Sequence, residues 1–186
     1  MSIEDKERWD KKYKNNLIPT KVVQIVEEYA KLAKGNKALD IACGMGRNTK
    51  FLATIGFEVD ALDISPVAIE NLQNIPNIHA IEVDFDTYRL KENSYDLIVC
   101  TYFLKRELFP HIYKALKENG IFIFETFMHH ADNTKVPSNK SFLLNKGELE
   151  ATFDKNYEIM HLREFMDEGI CGEKSFKTSI VARKKH

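Results

Sequence analysis

The stretch Asp40-Ile41-Ala42-Cys43-Gly44-Met45-Gly46 sets an acid ahead of two closely spaced glycines. Glycines there let the backbone turn sharply and approach a ligand closely, because no Cβ intervenes. Asp63 follows nineteen residues after Gly44. An acid at that distance can accept hydrogen bonds from both hydroxyls of a ribose, as dinucleotide-binding folds arrange it. The chemistry on offer is nucleotide binding, and two nucleotides compete for it. NAD would set its pyrophosphate over the glycines, where the Asp40 carboxylate repels it. The third glycine of G-x-G-x-x-G is missing as well, with Thr49 in its place. S-Adenosylmethionine has no phosphate and carries an ammonium and a sulfonium, which favour a carboxylate nearby, directly or through water. The dinucleotide reading loses, and a nicotinamide oxidoreductase loses with it.

Such a loop needs a strand running into it and a helix leaving it. The apolar run 38–41 predicts the first core strand, 47–55 a helix, and 57–62 a second strand that ends beside Asp63. Ser65-Pro66 is a helix start, with Ser65 capping and Pro66 at the first helical position. Residues 78–83, 95–100 and 121–127 predict three further strands, the middle one apolar enough to be buried on both faces. Pro110 belongs to the first turn of a helix running to Asn119-Gly120. Upstream, Val22, Ile25, Val26, Tyr29 and Ala33 follow helical spacing, with Thr20 as N-cap and Gly35 past the end. Downstream, 129–140 is a polar loop, Asn145 and Glu148 read as a capping box opening a helix through Phe153, and 157–165 and 174–182 predict the last two strands. The alternation predicts an α/β fold: a Rossmann-like, doubly wound, mostly parallel seven-stranded sheet with helices on both faces. The 186 residues suit one domain, with 1–34 as a helical cover and 35–186 as the Rossmann-like core.

Composition narrows the partners. Lys plus Arg is 27 and Asp plus Glu is 28, so the basic excess that draws a protein to nucleic acid is missing. No apolar run reaches membrane-spanning length, and the first residues, MSIEDKERWDKKYKNN, are too charged for a signal peptide, which points to the cytoplasm. The 3 cysteines, Cys43, Cys100 and Cys171, are far apart and form no C-x-x-C, so neither a disulfide framework nor a metal site is expected. His129 and His130 are adjacent and would diverge on a regular element rather than share a metal.

In this order the motifs resemble those of the class I S-adenosylmethionine-dependent methyltransferases, over Trp9 to Lys184. D-I-A-C-G-M-G matches the first motif except that Ala42 replaces its first glycine. Asp63 matches the second acid, and the resemblance lays Ile64 against the adenine. Asp84 with Phe85 matches the third motif, which implies that Asp84 accepts from the adenine amino group. Tyr95-Asp96-Leu97-Ile98-Val99 and Leu116-Lys117-Glu118-Asn119-Gly120 match as well, with Asp96 ordering the start of its strand. The cofactor set implied is Asp40, Ala42, Gly44, Gly46, Asp63, Ile64, Asp84, Phe85 and Cys100. The resemblance also places the acceptor beyond the ends of strands four and five, under the N-terminal segment. Tyr102, Arg106, His129 and His130 stand there as candidate catalytic residues, with Trp9 and Tyr13 in the cover. A neutral histidine can take a proton from an acceptor near neutral pH, and Arg106 can grip a carboxylate or an oxyanion. The Asn/Asp-Pro-Pro-aromatic signature of base and glutamine methylation is absent. A small-molecule acceptor is therefore expected: a thiol, a metalloid oxyanion or a small metabolite. A more distant likeness runs to the tellurite-resistance-type methyltransferases. A catalytically idle cofactor-binding scaffold that works through a protein partner is the alternative.

Overall fold

A computed structural model describes residues 3–15, 19–169 and 171–185. The strands are β1 (Lys37–Ile41), β2 (Glu58–Asp63), β3 (Ile78–Glu82), β4 (Tyr95–Thr101), β5 (Leu116–Phe127), β6 (Tyr157–Glu168) and β7 (Lys174–Lys184). The helices are α1 (Ile3–Lys14), α2 (Gln24–Tyr29), α3 (Arg47–Thr54), α4 (Pro66–Leu72), α5 (Phe109–Ala115) and α6 (Glu148–Phe153). The strands form one sheet in the order β3-β2-β1-β4-β5-β7-β6. β1 to β5 pair in parallel, and β7 joins β5 and β6 antiparallel.

Both faces of the central strands are covered, which explains their unbroken apolar runs. Leu97 and Val99 of β4 pack on one side with Val26 of α2 and Leu52 of α3. Ile98 and Cys100 turn to the other, against Ile112 of α5 and Phe153 of α6. The order of the strands reverses between β1 and β4, so their carboxyl ends open a crevice, the usual ligand position in such sheets.

Local details follow the chemistry of the sequence in most places. Ser65 Oγ caps α4 by accepting from the Ala68 amide. Glu148 accepts from the Asn145 amide at 2.9 Å, but Gly147 and not Asn145 stands at the N-cap of α6, so the expected capping box does not form. Asp96 accepts from the Lys37 amide and from Lys117 Nζ, and so ties β4 to β1. Two further expectations need correction. Thr20 does not cap α2; Val23 stands at its N-cap, and the buried Asn48 side chain accepts from the Val23 amide at 3.1 Å. The helix after Pro110 ends at Ala115 rather than Asn119, because Leu116 pairs with Tyr95 and starts β5. Among the described residues, no helix is long and apolar enough to cross a membrane.

Candidate functional site

The loop leaving β1 alternates left-handed residues: Ala42 at φ 55°, Gly44 at φ 53° and Gly46 at φ 79°. Ala42, standing where the motif has glycine, carries a Cβ in this conformation at a cost of about 1–2 kcal/mol. The two glycines serve different ends. A Cβ on Gly44 would lie 3.0 Å from the Tyr13 hydroxyl, on the cleft side under α1. A Cβ on Gly46 would lie 2.4 Å from Leu72 Cδ2 of α4, away from the cleft. Gly46→Val is therefore expected to lower stability by about 2–4 kcal/mol through overpacking and backbone strain. Thermal unfolding checks this. An unchanged melting temperature with lost cofactor binding would return Gly46 to the ligand.

Asp63 ends β2 and is 4% exposed. Its carboxylate accepts from the Gly44 amide at 2.8 Å and the Ser65 amide at 2.9 Å, so it fastens the loop to the start of α4. Burial pushes its carboxyl up from the usual range, against the pull of those backbone donors. Each oxygen keeps lone-pair capacity for a further donor such as a ribose hydroxyl. Asp40 lies beneath the loop at 1% exposure, and Thr49 Oγ1 donates to it at 2.6 Å. Burial lifts its carboxyl to about 7, helped by the nearby Asp63 charge and opposed by the Thr49 hydrogen bond and by Arg47. Thr49, in the place of the third glycine, is thus the partner of the acid.

A cleft of about 650 Å³ opens over this loop, a size suited to a cofactor. Ala42, Cys43 and Gly44 form its floor, Asp63 and Ile64 one wall, and Trp9 and Tyr13 of α1 its cover. The Trp9 and Tyr13 rings stack at 5.5 Å, and Asp10 beside them pairs with Ser65 Oγ. The expected cover spans 1–34, of which residues 1, 2 and 16–18 lie outside the described residues.

At its far end the cleft meets the ends of β4, β5 and β7. Tyr102 there adopts φ 59°, a conformation that a bulky side chain rarely takes. Its hydroxyl donates to Glu125 Oε1 at 2.7 Å and accepts from Lys177 Nζ at 3.1 Å. Lys177 also pairs with Asp167, and the Arg47 guanidinium sits 5.0 Å from the centre of the Tyr102 ring. Burial raises the Glu125 carboxyl and holds the Tyr102 hydroxyl protonated. Arg47, Glu125 and Lys177 were not among the sequence candidates. Glu125 carried a signal, as an acid at the end of the apolar run Ile121 to Phe124. Lys177 comes to this place only through its register with Phe127.

The other candidates lie elsewhere. Phe85 is 2% exposed and packs on Phe103 at 5.3 Å, while Cys100 is buried with its thiol directed at the Phe103 carbonyl. Asp84 accepts from the Asp86 amide in the turn after β3. None of these three lines the cleft. His129 and His130 turn away from it, because the Met128–Leu144 bridge redirects the chain and the His130 ring stacks on Phe176. They line a separate loop pocket. Arg106 is held by Glu148 through Nε at 2.6 Å and Nη2 at 3.0 Å, and by the carbonyls of Ser141 and Leu143. It straps the 139–148 segment instead of offering a free fork to a ligand. Among the described residues no group of three or more His, Cys, Asp or Glu gathers as a metal site.

Fold and cleft together have the architecture of the class I S-adenosylmethionine-dependent methyltransferases. The model of the family "Tellurite resistance protein TehB" matches residues 1–173, and the chain belongs to that family. It is 31% identical over 171 residues to the probable S-adenosyl-L-methionine-dependent methyltransferase TehB of Haemophilus influenzae, covering 86% of this chain and 58% of that protein. The crystal structure of TehB from Haemophilus influenzae superposes with a TM-score of 0.75 at 29% identity, over 97% of this chain and 67% of that one. A phosphoethanolamine N-methyltransferase of Haemonchus contortus, solved with S-adenosylhomocysteine, shares the fold at TM-score 0.67 and 18% identity, over 87% of this chain and 52% of that one. S-Adenosylmethionine is the cofactor this class uses. The cleft fits it: a buried carboxylate with spare acceptor capacity faces a glycine floor.

Proposed function

We propose that this chain transfers the methyl group of S-adenosylmethionine to a small-molecule acceptor with a soft nucleophilic atom, a metalloid oxyanion such as tellurite or a thiol. One observation carries the reading. The cofactor cleft runs without a break from Asp63 to the polar group formed by Tyr102, Glu125, Lys177 and Arg47 at the strand ends. When bound, the cofactor supplies an electrophilic methyl group. Asp63 holds the ribose, Gly44 lets the backbone come close, Ile64 lies against the adenine, and the charge of Asp40 supports a cationic ligand from below. Tyr102, fixed by Glu125 and Lys177, orients the acceptor, and Arg47 neutralises its negative charge. Trp9 and Tyr13 of α1 exclude water from above. Positioning and desolvation of this kind can supply most of the rate of an in-line displacement.

The test is turnover with radiolabelled cofactor and tellurite, following transfer of the labelled methyl group to tellurium and release of S-adenosylhomocysteine. Tyr102→Phe, which removes the hydroxyl between Glu125 and Lys177, is expected to lower turnover by about tenfold, the lower end of the value of a hydrogen bond to a charged group. His129→Ala and His130→Ala should leave it within about twofold, as their rings lie outside the cleft. Tight cofactor binding without product from any soft acceptor would overturn the transfer reading.

A further inference from the structure

A second cavity of about 640 Å³ adjoins the cofactor cleft and shares Trp9, Tyr102, Phe103 and Phe127 with it. Its character differs from that of a seat for a bare oxyanion. Three of the five cations on its wall are engaged by acids, Lys105 by Asp86, Arg106 by Glu148 and Lys135 by Glu173, and Lys12 lies over the Trp9 ring. Besides Arg8, Glu107, Thr126 and Ser141, the remaining lining is ring and aliphatic surface, with Phe142, itself 37% exposed, at the rim. Aromatic side chains that leave their faces open receive flat apolar groups by offset or edge-on stacking. At the junction with the cofactor cleft stands Arg47, which makes no ion pair among the described residues and lies against the Tyr102 ring.

We propose that this second cavity binds a small aromatic anion, its ring among Phe103, Phe127, Phe142 and Trp9 and its anionic head at the junction by Arg47, and that this is the acceptor class for which the chain is shaped. The proposal rests on the methyl-transfer reading for its acceptor role only; the binding of the ring stands on the cavity. A bare oxyanion reaches the junction and leaves the aromatic walls unused.

Trp9 is the only tryptophan of the chain and lies in the wall shared by both cavities. Its fluorescence therefore reports the filling of the second cavity without any turnover. With the full chain saturated by S-adenosylhomocysteine, so that the first cleft is filled, benzenethiolate is titrated against selenite as the bare oxyanion. Benzenethiolate is expected to quench Trp9 saturably and to give methyl phenyl sulfide with the live cofactor. Phe142→Ser should weaken the quench titration by about tenfold, through loss of ring burial and stacking, while selenite turnover stays unchanged. Selenite turnover with neither quenching nor sulfide formation from benzenethiolate would overturn the proposal and leave the methyl-transfer reading intact. Unchanged benzenethiolate affinity in Phe142→Ser would overturn it as well. Saturable quenching without methylation of either compound would keep the aromatic site and overturn its acceptor role together with the transfer reading.

Discussion

Asp63→Ala is expected to weaken S-adenosylmethionine binding by about 1.5–3 kcal/mol, the range for hydrogen bonds to a charged group, which is roughly tenfold to more than a hundredfold in affinity. The variant also removes the acceptor for two backbone amides, those of Gly44 and Ser65. Buried donors left without a partner cost about 1–3 kcal/mol each. Part of that loss is offset, because the wild-type carboxylate is itself held in a desolvated place. A net destabilisation of about 2 kcal/mol follows, or about 4–8 °C in melting temperature for a chain of this size. Asp63→Asn separates the two effects in part. Its amide oxygen can still serve one of the backbone donors, while its amino group faces the other and repels it. Calorimetric titration well below the melting temperature of each variant reads the binding loss alone. Cofactor affinity within twofold of wild type in a folded Asp63→Asn would remove this residue from the ribose.

Parts of this site were legible in the sequence because their chemistry is local. The run Asp40 to Gly46, the acid at Asp63 and the Ser65-Pro66 cap each act within one strand-to-helix turn. The central strands were legible for another reason, since burial on both faces leaves an apolar run that nothing else in the chain resembles. What escaped depends on contacts between segments far apart. The Glu125, Tyr102 and Lys177 group needs β4, β5 and β7 side by side. The cap of α2 comes from Asn48, across the core, so Thr20 looked adequate on local grounds. Gly46 showed only that a side chain was unwelcome; that the obstacle is Leu72 and not the ligand is a matter of packing. The histidines were placed by their distance from a strand end, and one bridge between Met128 and Leu144 redirects that distance. Arg106 has the right type for an anion, yet Glu148 occupies its fork.

Asp40 sets the largest expected dependence on pH. Its carboxyl moves from 3.8 to about 7 in the folded chain, so between those values the folded state holds a proton that the unfolded state has released. Stability then falls as pH rises across this window and levels off above it. At 1.36 kcal/mol per unit, a rise of about three units makes the fall about 4 kcal/mol. The neighbours that share this charge are Asp63 and Arg47, with the Thr49 hydroxyl as donor. The Cys43 and Cys100 thiols nearby are pushed up by burial and stay neutral throughout. Asp40→Asn keeps an acceptor for Thr49 and removes the ionisation. The variant is therefore expected to be more stable than wild type above pH 7, by about the same 4 kcal/mol, and to lose most of the slope. Binding responds in the opposite sense. A cationic cofactor above the loop favours the carboxylate, so its affinity should rise by up to about tenfold as pH goes from 6 to 8, with a proton released on binding. In Asp40→Asn that rise should vanish, and affinity at pH 8 should fall below wild type. Denaturant melts across pH give the stability curve, and titrations in two buffers of different ionisation enthalpy count the proton. A wild-type affinity flat across this range, with no proton released, would mean that Asp40 serves only to hold Thr49 and the start of α3.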